Sequence, residues 1–336
     1  GMPLYRIEGY QKMLGIPLPS STQWDLIEQV ANDIYPVFYH LEYLAAQGHL
    51  THLDDTNVRI LSKMKEHPYL KDLKLRKGSF TTGVISYYQD HIIHLNYSSS
   101  NHAGENMTRL LNQRHKNLPP IKYMCDALSR NKPKEHEVIL MNCIAHARRK
   151  FVEIELFFPD ECAHVIEQIA MVYRHDAHTR AIKMDDAQRL RYHQTHSWPV
   201  MKELKVLLET QLHDNLVEEN NSLGKAIRYT LKHWETLTQF LKTEGAPLDN
   251  NILEASLKVP IRIRKNAMFY KTEHGAFIGS MLVSIIQTCQ ANKVNPVDYL
   301  TTLQVNKSQI FKEPQNWLPW NYENQRTVQA VTEATA

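Results

Sequence analysis

The stretch 50-LTHLDDTNVRIL-61 decides the fold, because the hydrophobic period changes there. His52, Asp54, Thr56, Val58 and Ile60 fall on one face of a two-residue repeat, and Leu53, Asp55, Asn57 and Arg59 on the other, as in a strand. Residues 9–48, just before it, read as helical. Trp24, Leu26, Ile27, Val30 and Ala31 recur at helix spacing, and Ser20-Ser21-Thr22 offers N-caps. The stretch therefore opens a sheet, with two adjacent acids in its first strand. Asp54, on the side of Val58 and Ile60, is expected to point toward the covered face, and Asp55 toward the Arg59 side.

Working outward, a basic polar connection, 63-KMKEHPYLKDLKLRKG-78, leads to two more strand candidates, 79-SFTTGVISYYQ-89 and 91-HIIHLNYS-98, joined as a hairpin near Asp90. A helix fits 103–115. Pro119-Pro120 breaks the chain before a strand at 121–128, and 137-EVILMNCI-144 is apolar enough for a strand covered on both faces. From Ala147 to about Thr243 the spacing is almost wholly helical, with helices at 249–258 and 274–291 beyond. Trp198-Pro199 reads as the start of a helix, and the tail from Asn306 as polar and loose at its end. Three strands, a helix and two further strands followed by helices predict an α/β fold. The expected form is a ribonuclease-H-like mixed-sheet core interrupted by an all-α insertion, with an N-terminal helical segment. The expected division is 1–48 helical segment, 49–150 first part of the core, 151–245 insertion, 246–303 second part of the core, and 304–336 tail.

Composition sets broad limits. No run of about 18 apolar residues exists, so no membrane span is expected, and the polar start GMPLYRIEGY is not read as a signal peptide. Gly1 ahead of Met2 reads as an expression scar, with native residues expected upstream. The four cysteines, Cys125, Cys143, Cys162 and Cys289, show no CxxC pair and are expected to be reduced. The net charge is only +3, but Lys258, Arg262, Arg264, Lys265 and Lys271 follow one another with no acid between Ala255 and Thr272. Such a one-sign segment suits a polyanion; a solvated surface is the plain alternative.

Acids stand where a ribonuclease-H-type fold sets its catalytic carboxylates: Asp54 on the first strand, Asp126 at the end of the fourth, and Glu254 on a late helix beside the Leu253/Leu257 stripe. Asp249 is expected to cap that helix. Three converging carboxylates repel one another unless cations hold them, and Mg²⁺ or Mn²⁺ takes oxygen ligands of this kind. Two ions roughly 3.5–4 Å apart would suit an in-line phosphoryl displacement.

The motifs narrow this reading. PLDNNILE at 247–254, then RKNAMF and SIIQTCQANKVNPVDYL, resembles the transposases of the insertion-sequence-66 family, the large subunit with a DDE site. HLDDTNVRIL at 52–61 is similar to that family's first catalytic segment, and MCDAL at 124–128 falls where its second Asp stands. CIAHARRKF at 143–151 resembles its Cys-Trp-Ala-His-Ala-Arg-Arg-Lys-Phe signature. RLRYHQTHSWP and LGKAIRYTLKHWETL fit its helical insertion, and WLPW at 317–320 its tail. The resemblance covers roughly residues 5 to 322. It implies a metal-binding triad of Asp54, Asp126 and Glu254 that cleaves DNA at transposon ends, frees a 3′ hydroxyl and joins it to target DNA. Arg148, Arg149, Lys150, Lys258, Arg262, Arg264 and Lys265 are expected along the DNA backbone. The implied partners are transposon-end and target DNA, further copies of the chain on DNA, and accessory transposition proteins, in a nucleoid-associated, cytoplasmic bacterial setting. The chain departs from the family at Ala127-Leu128 (usually Gly-Tyr), Ala255 (usually Arg) and Ile144 (usually Trp), and the family's upstream zinc-ribbon and coiled-coil region, with its CxxC pairs, is not read within these 336 residues. The alternatives are a retired transposase that only binds DNA, and a plain nuclease that cleaves without joining.

Other candidates weigh less. Cys143 and His146 have CxxH spacing, half of a zinc site, but a buried thiol is the favoured reading; His146 is also expected near Asp126. Among 18 histidines, the pairs His175/His178 and His193/His196 can arise by chance, and neither carries the HExxH pattern.

Overall fold

The computed structural model describes residues 2–66 and 78–325. Gly15 at φ 74°, Pro17 and Pro19 divide the first helical segment into α1 (Leu4–Met13) and α2 (Ser20–Ala46). The serine cluster does not cap α2. Pro19 holds the cap position, and the orphan N–H of Ser20 is taken by the Glu8 carboxylate from α1 at 2.8 Å.

The remaining elements are β1 (Leu50–Val58), α3 (Leu61–Glu66), β2 (Ser79–Tyr88), β3 (His91–Ser99), α4 (Ala103–Leu111), β4 (Ile121–Cys125), β5 (Val138–Asn142) and α5 (Ile144–Val152). Then come α6 (Pro159–Ala181), α7 (Asp186–His213), α8 (Ser222–Lys232), α9 (Trp234–Leu237), α10 (Asn251–Ala267), α11 (Glu273–Ala291), α12 (Pro296–Val305) and α13 (Lys307–Ile310). Most of the basic connection between β1 and β2 lies outside the described residues. The protein is mixed α/β, with a five-stranded sheet in the order β3-β2-β1-β4-β5. β5 is last in that order, and its first three residues are half-buried, so it is less covered than its apolar composition suggests.

The chain divides into two compact units: residues 1–121, 129–137 and 252–336, and residues 122–128 and 138–251. In the first, β1, β2 and β3 form an antiparallel meander, pairing Leu50 with Tyr87 through Val58 with Ser79, and Phe80 with Ser99 through Tyr88 with His91. The hairpin turns on Gln89 and Asp90, and Gln89 takes φ 51°, the positive value a two-residue hairpin turn requires.

Both faces of this meander are covered. Leu53, Val84 and Leu95 are buried on the side of α2 and α4, with Ile34, Val37, Phe38 and Leu41 of α2 and Met107 and Leu110 of α4 in the same core. On the other side lie α10 and α11. The edge strand β3 is sealed by α11: Ser284 Oγ accepts the N–H of Asn96, Thr288 Oγ1 accepts that of His94, and Asn292 exchanges hydrogen bonds with both backbone groups of Ile92. An edge whose polar groups are satisfied this way offers no template for another strand.

Two sequence readings need correction. α10 does not stop before Pro260 but runs to Ala267. Proline removes the N–H that would bond the Ser256 carbonyl, and Gln287 Nε2 of α11 supplies that bond instead at 3.0 Å. Pro199 likewise lies inside α7, not at its start. Within the tail Trp317, Leu318 and Tyr322 are buried, and the Tyr299 hydroxyl donates to the Trp317 carbonyl at 2.5 Å; the end of the tail, expected to be loose, lies outside the described residues.

In the second unit α6 pairs with α7, and α5 packs against α6 and α8. Asp176, buried on α6, holds it together. It accepts from Arg189 at 2.6 Å, Arg180 at 2.9 Å and His193 Nε2 at 3.2 Å. Burial raises the Asp176 pKa, but the His193 hydrogen bond and the two arginines outweigh it and hold the carboxyl below its usual range.

Candidate active site

The register of the first unit sets the faces of the two adjacent acids on β1. Asp54 pairs with Gly83, and directly opposed residues present their side chains to the same face. A Cβ added at Gly83 would stand 2.7 Å from Leu257 Cδ2 and 3.3 Å from Leu253 Cδ1, both on α10. Asp54 therefore faces α10, whose first turn carries Glu254 beside Leu253. Two residues along β1, Thr56 accepts from Arg264 of α10 at 3.3 Å, and across the sheet His94 Nδ1 meets Ser256 Oγ at 3.0 Å. Glycine at position 83 lets the helix approach closely enough for Leu253 and Leu257 to pack on this face.

Asp55 points the other way and is an anchor. Its side chain, 1% exposed, accepts from Thr82 Oγ1 at 2.6 Å and from the Ala103 N–H at the start of α4 at 3.0 Å, with His102 Nδ1 at 3.3 Å. A carboxylate among the first N–H groups of a helix is stabilised by them. Lys258, Arg262 and Lys265 lie exposed along α10, as does Ala255.

In the second unit Asp126 follows β4, where Asn142 Nδ2 bonds its backbone carbonyl at 3.2 Å and that of Cys125 at 3.3 Å. Its side chain lines a cavity of about 280 Å³ with His146, Arg149, Lys150, Glu153 and Tyr229. His146, Arg149, Lys150 and Glu153 recur at i, i+3, i+4 and i+7 along α5, which is one helix face. Lys150 Nζ sits 4.4 Å from the centre of the Tyr229 ring. Burial and the nearby Asp126 charge push the Tyr229 phenol up to about 12, so it is protonated and able to donate at neutral pH. The sequence signature places His146, Arg149 and Lys150 here; Tyr229 and Glu153 were not anticipated. Arg148 lies on a different groove, between α5 and α6.

Cys143 behaves as a buried thiol. Its Sγ and a ring nitrogen of His146 lie within 4.8 Å, but burial pushes the thiol up to about 11, and Sγ accepts the Asn250 N–H at 3.3 Å. The other histidine pairs serve packing: His175 and His193 both bond Ser197 Oγ, at 3.1 and 2.9 Å, inside the Asp176 network. Asp249 is not the N-cap. α10 begins at Asn251, and Asp249, two residues earlier, accepts the Asn251 N–H at 3.0 Å and the Tyr173 hydroxyl at 2.9 Å.

Comparison with known proteins bears on these residues. The model of the family described as Transposase IS66 family matches residues 1–277, a span that contains Asp54, Asp126 and Glu254. Three curated proteins of Sinorhizobium fredii (strain NBRC 101917 / NGR234) are similar. Uncharacterized protein y4jD is 32% identical over 213 residues, covering 62% of this chain and 41% of that protein. Uncharacterized protein y4qI is 29% identical over 201 residues, 59% of this chain and 36% of that protein. Uncharacterized protein y4hP is 25% identical over 322 residues, 89% of this chain and 55% of that protein. The chain thus spans about half or less of the length of these relatives.

Proposed function

Since the chain belongs to the IS66 family of transposases, we propose that it is the catalytic part of a DDE transposase whose metal-binding carboxylates are Asp54, Asp126 and Glu254. Family membership implies transposition, and transposases act on DNA. Among the described residues no helix is long and apolar enough to cross a membrane. The observation that carries the finer reading is the seat of α10: a glycine opposite Asp54 admits the helix bearing Glu254 to the face that Asp54 occupies. The strand order β3-β2-β1-β4-β5 supports a ribonuclease-H-like core, in which residues 151–245 act as the all-α insertion.

The donor set fits the implied ion. Three carboxylates offer hard oxygen ligands suited to Mg²⁺ or Mn²⁺. Bound there, such ions supply Lewis acidity toward the phosphodiester. The protein's own groups do the rest. Arg149 and Lys150 hold the phosphate beside Asp126, and the protonated Tyr229 phenol donates toward it. Lys258, Arg262, Arg264 and Lys265 on α10, with Arg148 on α5, follow the DNA backbone, a salt-dependent and sequence-independent role. The reaction is hydrolysis of one phosphodiester at a transposon end to free a 3′ hydroxyl, followed by attack of that hydroxyl on a target phosphodiester, which joins the strands and releases a 3′ hydroxyl of the target as the leaving group. Further copies of the chain on DNA and accessory transposition proteins belong to this reading.

The deciding experiment is metal-dependent nicking and joining of DNA that carries the element's ends, with wild type and Asp126→Asn. Nicking that requires Mg²⁺ or Mn²⁺ and disappears in the variant is the expected result. Unchanged nicking by the variant overturns the carboxylate assignment. Binding without any nicking by wild type means a retired, DNA-binding protein, and nicking without joining means a nuclease.

A further inference from the structure

The neighbouring face of α5 borders a second, larger cavity of about 590 Å³, walled by α5 and α6. Three guanidinium side chains reach it: Arg148 and Arg149 from α5, and Arg174 from α6. None of the described residues lining it is acidic. The rest of the wall is largely apolar, with Val152, Ala170 and the half-buried Tyr173 ring. The Tyr173 hydroxyl donates to Asp249 at 2.9 Å, which fixes the ring in place. The volume lies in the range of small-ligand sites. A groove that pairs cationic rims with an apolar and aromatic floor matches one ligand chemistry closely: a phosphate with a flat, weakly polar ring attached.

Arg149 is the link, because it lines both this groove and the Asp126 cavity. A phosphodiester on Arg149 beside Asp126 has its neighbouring nucleotide next to the groove. Duplex DNA cannot fill such a groove, since its bases are stacked and paired; an unpaired nucleotide can. We propose that the α5–α6 groove takes one unpaired nucleotide flanking the phosphodiester at the Asp126 cavity, with its phosphate on Arg148 and Arg174 and its base on Tyr173, Val152 and Ala170. This rests on the reading of the chain as an enzyme acting on DNA, and it adds a DNA structure to that reading: the cleaved end is frayed at the flank. Arg174 now pairs with Glu167 at 2.6 Å, but both side chains are more than half exposed. Such a pair is weak, so a phosphate can displace the carboxylate.

The test measures binding, in EDTA, so that cleavage plays no part. Two fluorescein-labelled DNAs of equal length are compared by anisotropy, one fully paired and one with an unpaired flank at one end. Wild type is expected to prefer the unpaired flank by about tenfold, the scale of one base stacked on a side-chain platform. Arg174→Gln, at an exposed position, and Ala170→Trp, which fills the floor, should each bring that ratio close to one. 2-Aminopurine placed in the flank should report burial with wild type and not with either variant. Circular dichroism confirms folding, and if Ala170→Trp does not fold, Arg174→Gln decides alone. Equal binding of the two DNAs by wild type, or variants that keep the wild-type ratio, overturns the groove assignment. Asp126→Asn separates the two readings: it should abolish nicking and keep the flank preference. A preference that persists where wild type never nicks supports the groove and counts against the catalytic reading.

Discussion

The two faces of the β1–β3 meander are packed differently. Toward α2 and α4 the central row, Leu53, Val84 and Leu95, is apolar and fully buried; beside it Ser86 donates to the Ala45 carbonyl of α2, and Asp55 is a carboxylate engaged by Thr82 and the start of α4. Toward α10 and α11 the matching rows are polar. His52 and His94 flank Ile85, Asp54 and Asn96 flank Gly83, and Thr56 and Ser98 flank Thr81. These groups are met by polar partners on the helices: His94 by Ser256, Asn96 by Gln287, Ser98 by Ser280 and Thr56 by Arg264. A buried polar face stabilises less than an apolar one and loses more when a partner is removed. The apolar face holds the fold, and the polar face fixes where α10, and with it Glu254, comes to rest. Two adjacent aspartates therefore divide the labour of one strand.

That division is sharpest in the pair Asp54→Asn and Asp55→Asn. Asp54→Asn should lower metal-dependent nicking by about a thousandfold, equal to several kcal/mol of lost transition-state stabilisation, with a melting temperature near that of wild type. Asp55→Asn should lower stability by about 2 kcal/mol, since a buried, charge-assisted set of bonds is weakened, and nicking by the folded fraction should persist. Urea unfolding and a nicking assay on both variants check this. If both aspartates affect the same property, the two faces do not differ in role.

The next effect probes the apolar side alone. Leu53 has no exposed surface, so Leu53→Ala leaves a cavity and should cost about 3 kcal/mol in urea unfolding. DNA affinity of the folded protein should hold. On the polar side the corresponding probe is pH. Burial pushes the His94 imidazole down to about 4, against about 6.5 in the unfolded chain. The unfolded state thus takes up a proton as pH falls from about 6.5 to about 4 while the folded state does not, so stability declines across that window and is flat above it. The decline is about 3 kcal/mol, and His94→Gln should remove this part of the pH slope. An unchanged slope in the variant assigns the acid sensitivity to another group, with the Asp176 network the next place to look, through loss at lower pH.

How much of this can be read from the chain follows from sequence distance. Asp54 and the β2–β3 hairpin are local: a period of two sets their faces, and the positive-φ turn lies within the hairpin itself. Glu254 is visible through its motif. The anchoring of Asp55 is not, because Thr82 and Ala103 are brought to it only by folding. The length of α10 is hidden for the same reason: the bond that makes Pro260 tolerable comes from Gln287 on another helix. Tyr229 and Arg174 sit in a helical stretch whose period reports only which side is apolar. Periodicity carries no signal for which polar residue faces a cavity.

The smallest expected effect lies at the contact between β2 and α10, Gly83. Its pairing with Asp54 and its contact with Leu253 and Leu257 mean that a methyl group there presses on α10 at the two residues that flank the turn carrying Glu254. Two terms oppose each other in Gly83→Ala. The strand gains about 0.5–1 kcal/mol because alanine is less free than glycine in the unfolded chain. Overpacking at 2.7 Å costs about 1–3 kcal/mol, reduced where the Leu257 side chain swings aside. The net change in stability should be about 1 kcal/mol, close to the limit of measurement. Nicking should fall further than that, by about tenfold, because a displaced α10 carries a carboxylate away from the Asp54 face. Leu257→Ala in the same chain should restore part of the rate by giving the methyl group room, although it lowers stability further. Rate and stability moving in opposite directions in the double variant is the result that a merely structural contact would not give. If the rate follows stability in both variants, the seating of α10 has no role in catalysis beyond holding the fold.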